Sequence, residues 1–304
     1  SGQSLSGQSL SGQSLSGQSL SGQSLTGQSL SGQSLTGQSL TGQPLSRRPV
    51  NPGGLHAYLR GQVAGLSEVA QTGELPGLSL ISGASGQGET PNRQSRTRVV
   101  RSLRSLQTPL ALLDLEGGAT PAVLDFFLAA DRPILVVLPE PAAVENAHRF
   151  IRRAYLWQLQ QLAAAAGLDR ATFRAQIAPG IASGDTWKPA ELLMRIERLR
   201  SGLGATLEAA LREFRIYLVV NQVRHVSDIG VGLSLKNAVQ SFFGITVRFV
   251  GTVGYDPEAW LSARRRRLRV RESSGDELGV QLELILRNLL DDLEFEPPAG
   301  FSAL

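Results

Sequence analysis

The sequence predicts an α/β protein: a mostly parallel sheet flanked by helices and preceded by a low-complexity tract. Three stretches carry that expectation. From Leu112 to Ile151 the chain passes through an apolar run, a glycine turn, an amphipathic segment, a second apolar run, a proline turn and a further amphipathic segment. Two apolar runs joined by a helix form a right-handed crossover between parallel strands. Phe214 to Val220 is an apolar run of the kind that parallel sheets bury on both faces. Val247 to Val250 then follows another helical segment, which repeats the strand and helix order.

Residues 1–45 are nine pentapeptides, SGQSL varying to TGQSL and ending in TGQPL, with no charge and no aromatic residue. One Leu in five cannot offset the ordering entropy of so much Gly and Ser, which points to disorder. A pentapeptide-repeat β-helix is the alternative, but Gln falls where an inward-pointing small side chain is wanted, and so few coils would lack caps. Residues 46–76 are a Pro/Gly linker and a helix over 55–71, with Leu55, Leu59, Val63, Leu66 and Val69 at helical spacing. The α/β domain is expected over 77–293 and a tail over 294–304. Within it the pattern predicts strands at 78–81, 110–113, 134–138, 214–220 and 247–250. Helices are expected at 93–106, 123–130, 142–166, 189–211, 228–243 and 276–293, with a short one after 168.

The sequence contains no cysteine, which removes disulfide and thiolate-metal chemistry. His56, His148 and His225 share no metal-ligand spacing. No apolar run is long enough for a membrane span. Gly83, Gly86 and Gly88 suggest a phosphate cradle, but no Lys-Ser/Thr follows, so an ordinary loop is expected. Arginines on 93–106 and in ARRRRLRVR (263–271) read as solvated faces more than as a nucleic-acid or lipid surface. The last helix sets five acidic residues against a single Arg287, so membrane association is weak at most.

The segment DLEGGATPAVLDFFLAADRPILVVLPEPAAVENAHRFI resembles the Walker B region of MinD/ParA-type P-loop ATPases. It is closest to the FlhG/FleN-like branch, which is linked to flagellar number and cell-pole placement and reads roughly D-L-G-A-G, L-D-F-F-L-x-A-D and P-E-P-T-S-x-E-N-A-Y-R-F-I. A second block, residues 216–267, is similar to the same branch, and together the resemblance covers roughly 55–292. It implies an ATP-dependent spatial regulator, cytoplasmic in a bacterium and peripheral at the cell pole, acting as a homodimer or with a protein partner. The implied cofactor is ATP with magnesium. Asp114 then matches the Walker B aspartate that holds a magnesium-bound water, Asn221 the asparagine that contacts the adenine edge, and Arg224 the border of the base. Pro139 and Glu140 fall at a strand's carboxyl end, where such sheets bind ligands.

Three departures set the expectation for chemistry. The deviant Walker A loop K-G-G-x-G-K-[ST] occurs nowhere in the sequence, so the donors that stabilise phosphoryl transfer are missing and hydrolysis is in doubt. Glu116 places negative charge where triphosphate would lie. His148 stands where the branch has Tyr. The single methionine, Met194, suggests a chain truncated at its start, and a sheet without its central strands would be marginally stable or partner-dependent. The alternative to a nucleotide switch is a non-catalytic remnant or protein-interaction module.

Overall fold

The computed structural model describes residues 53–73, 75–83, 91–182, 188–265, 269 and 275–297. The pentapeptide tract, most of the linker and most of the arginine run after Arg265 lie outside the described residues. The chain divides into two compact units: the first takes the described residues up to Glu116 with those of 261–268, and the second takes Gly117–Trp260 with those from Arg269 onward.

In the first unit, helix α1 (Gly54–Leu59) is followed by a 3-10 turn at Leu66–Val69, and strand β1 (Gln71–Thr72) pairs antiparallel with β2 (Ser79–Leu80). The helix expected over 55–71 therefore stops early. Gly61 takes a left-handed φ of 72° that breaks the helical path, and Leu66 and Val69 are buried from the 3-10 turn instead. Helix α2 (Arg93–Arg104) begins on Asn92, whose side chain accepts the Ser95 N–H at 2.9 Å. Its Arg98 donates to the carbonyls of Tyr58 and Leu59, while Tyr58 and Ser102 share a hydroxyl contact of 2.5 Å. Residues 110–113 are not a strand: Leu110 and Leu112 are 63% and 89% exposed, and the run pairs with no neighbour among the described residues. An apolar run is only half of a strand, because its backbone groups also need a partner.

The second unit is a three-layer arrangement around a parallel sheet ordered β3 (Ile134–Val137), β4 (Arg215–Val223), β5 (Thr246–Gly254). Ile134 lies beside Tyr217 and Val137 beside Val220, while Leu218 lies beside Phe249. Ile216 through Val220 are all buried, each contributing about 1.5–3 kcal/mol relative to exposure. Helix α3 (Pro121–Ala129) starts with Thr120 accepting the Val123 N–H, and is tied to α4 (Pro141–Ala165) by Trp157 Nε1 donating to Asp125 at 2.7 Å. Helix α5 (Arg170–Ala182) precedes α6 (Pro189–Leu199) and α7 (Leu203–Arg212). The single helix expected over 189–211 is thus two, because Gly202 adopts φ 81° and Glu197 turns back to accept the N–H groups of Gly202 and Gly204.

Helix α8 (Val226–Phe243) covers one face of the sheet and α10 (Glu277–Leu290) the other, with α9 (Pro257–Arg264) between them in sequence. Gly232 on α8 lets the Phe249 ring approach so closely that a Cβ there would stand 2.6 Å from it. On the α10 face, Tyr217, Val219 and Val250 pack with Ile134, Val253, Ile285 and Leu289. Buried Asn288 donates to the Val250 carbonyl at 3.0 Å. The chain then reaches the outer edge of β5: Phe295 N–H donates to the Phe249 carbonyl at 2.7 Å and the two rings meet edge to face. β3 pairs on one side alone among the described residues. No described helix is long and apolar enough to cross a membrane.

Candidate functional site

Parallel strands all end on the same side of their sheet, so Pro139 and Glu140 after β3, Asn221 at the end of β4 and Tyr255 after β5 share one rim. The local chain geometry there is set by a bulge. The β4–β5 register shifts between Asn221 and Val223, and Gln222 adopts φ 60°, a left-handed conformation that side chains other than glycine rarely take. Half-buried Asn221 accepts the Gln222 N–H on Oδ1 at 2.8 Å, which orients the amide, and its Nδ2 has no protein partner among the described residues.

Beyond the bulge the Arg224 guanidinium sits 4.0 Å from the centre of the Tyr255 ring. The Arg224 backbone is held by Asp228, which accepts the N–H groups of Arg224 and His225 at 2.8 and 3.0 Å at the head of α8. Those two backbone donors hold the Asp228 carboxyl below the usual carboxylate range. The β5 end is fixed in turn: Gly254 N–H donates to Gln281 at 2.8 Å, and Arg269 bridges Asp256 and Asp276 at 2.7 and 2.8 Å. The rim therefore offers a carboxamide with a spare N–H and a guanidinium–phenol stack, groups suited to the edge and face of a planar ring.

The other expected positions contribute differently. Glu140 is exposed and stands as the residue before α4, with no side-chain cap hydrogen bond; Pro139 is half-buried. Asp114 belongs to the first unit, exposed in the irregular segment before Gly117. Among the described residues no three His, Asp or Glu converge on a possible metal position. His148 fills its place as an aromatic, with its ring centroid 6.1 Å from that of Phe242 and 5.6 Å from that of Phe243.

Sequence reasoning missed Tyr255, Gln222 and Arg269. Tyr255 follows the apolar run of β5 directly and could have been flagged as an aromatic at a strand's carboxyl end. The second unit also contains a cavity of about 500 Å³ between α4, α6 and α7, near Gly244, which precedes β5 at the far end of the sheet from the rim. Its carboxylates already have partners, Glu197 in the α6–α7 turn and Glu208 with Arg212 at 2.7 Å, so it reads as part of the helix packing. Compared with protein-family models and with curated proteins, the chain matches none.

Proposed function

We propose that these residues carry the base-side half of a MinD/ParA-like nucleotide site, of the FlhG/FleN-like branch, on a partial P-loop or Rossmann-like sheet. In this reading the protein acts as a cytoplasmic spatial regulator at the bacterial cell pole or flagellum, through contacts with a partner or a second copy, and ATP hydrolysis is not its working step. The observations that carry the reading are Arg224 stacked on Tyr255 and the oriented amide of Asn221, each at the carboxyl end of parallel strands. The amide would recognise the adenine edge and Arg224 would border the ring. Pro139 and Glu140 would line the neighbouring strand end.

The triphosphate side supports no comparable proposal. The sequence contains no lysine-bearing glycine loop, and Asp114, the magnesium-water candidate, is exposed on a segment without regular structure. A site that grips only the base treats adenosine, AMP and ATP alike. Isothermal titration calorimetry on the full chain should therefore give weak, comparable heats for all three, unchanged by magnesium, and Asn221→Ala should weaken each about tenfold, the loss of roughly one well-made hydrogen bond. Magnesium-dependent binding of ATP alone would replace this reading with an intact ATPase site. Silence toward all three would leave the interaction module without nucleotide, a reading also motivated by the exposed Leu110 and Leu112.

A further inference from the structure

Parallel sheets ordinarily hide their edges, and edge strands that stay open are blunted by charge, proline or a bulge. β3 is only four residues long and follows Pro133, but within Ile134 to Val137 (ILVV) it carries no charge, proline or bulge, and it pairs in regular register with β4 and with nothing else among the described residues. Val136 points to the α10 face, in line with Val219, and is 56% exposed. On that face helix α10 lies chiefly over β5 and meets β3 at Ile134. Asn288 reaches Val250 on β5, whereas Leu289 packs by Ile134 and its carbonyl accepts from Arg132 at 3.2 Å. The flank turned toward β3 therefore carries Leu286 and Leu290, 46% and 47% exposed. An apolar strand edge and an exposed leucine flank thus face the same side among the described residues.

We propose that this edge pairs with a second copy of this chain, its β3 running antiparallel to the first so that two three-stranded sheets join into one. The argument for a second copy is self-complementarity, which a two-fold interface requires. With the axis at Val136, that residue faces its own counterpart, Leu135 faces Val137 and Ile134 faces Leu138. Arg132 and Glu140, of opposite charge and equally far from the axis along the chain, fall opposite one another twice. The leucine flanks of the two α10 helices then close over the paired valines. The surface involves neither Asn221 nor Arg224 and shares only Glu140 with the nucleotide reading, so a cross-link at Val136 tests it separately.

The absence of cysteine makes the test direct. Directly opposed residues of antiparallel strands have Cα atoms about 4.5–5.5 Å apart, within the span a disulfide accepts, about 4.4–6.8 Å. The full-length Val136→Cys variant, treated with diamide, is expected to give a covalent dimer on a non-reducing gel. Val226→Cys, equally accessible at the head of α8, should remain monomeric. The unmodified chain should sediment as a dimer, with or without added ATP, and Val136→Lys as a monomer with an unchanged circular dichroism spectrum and a melt lowered by the loss of association. A monomeric unmodified chain, or cross-linking at Val136 no faster than at Val226, overturns the proposal.

Discussion

At the scale of single residues, Gln222 is the clearest strain in the candidate site. Its left-handed backbone costs an ordinary L-residue about 1–2 kcal/mol, and its side chain is exposed, so nothing in the packing requires glutamine there. Gln222→Gly should raise the midpoint of thermal unfolding by the equivalent of about 1 kcal/mol, read by differential scanning calorimetry; a lower midpoint would mean the side chain makes a stabilising contact. Asn221 was legible in the sequence because it ends a long apolar run, where a polar residue marks the strand's exit. Tyr255 as its neighbour was not, since the meeting depends on which strands pair and in what register. That is a non-local choice no window of sequence encodes.

Elements show the same division between local and non-local information. The strands of the second unit and helices α2, α3, α4, α8 and α10 follow from apolar periodicity with boundaries shifted by a few residues, because their buried faces repeat at the helical or strand period. Periodicity failed where glycine conformation overrode it, at Gly61 and Gly202, and where an apolar run lacked a strand to pair with, at 110–113. Helix α8 supplies a test of close packing: Gly232→Ala pushes a methyl group into the Phe249 ring and should destabilise by about 1–3 kcal/mol in urea unfolding. An unchanged midpoint would show that α8 can slide on the sheet.

The segment after α10 supplies a test by acid. Asp292 accepts from the Tyr217 hydroxyl at 2.8 Å and pairs with Arg215 at 2.7 Å, and these contacts hold its carboxyl below the ordinary range. Burial pushes Glu294 up, but Lys236 and Arg248 outweigh it and its carboxyl is lowered too. Carboxyls lowered by folding stabilise fully above their unfolded values of about 4 and lose that contribution as pH falls through the lower folded values. Thermal stability should accordingly drop below about pH 4. Asp292→Asn, which tolerates the φ of 56° found there, should cost about 1 kcal/mol at neutral pH, a figure already reduced for partial solvent screening, and should show a shallower acid decline. Equal acid slopes for the two proteins would remove Asp292 from the account.

For the molecule as a whole, what the sequence conveyed was the class of fold and the positions of most of its elements. The extent of the sheet was beyond it. Its three parallel strands are among the described residues, and the apolar run expected to add another is instead solvent-facing. Hydrophobicity says that a segment wants cover, and only the assembled chain decides whether it finds any.

The tail bonded to β5 at Phe249 has a consequence for assembly. With Phe295 bonded to Phe249 on the other margin of the sheet, a two-fold partner placed beyond β3 presents that tail-bearing margin outward. Growth by that route halts at two chains, so concentrating the protein should saturate at a discrete particle rather than lengthen into fibres.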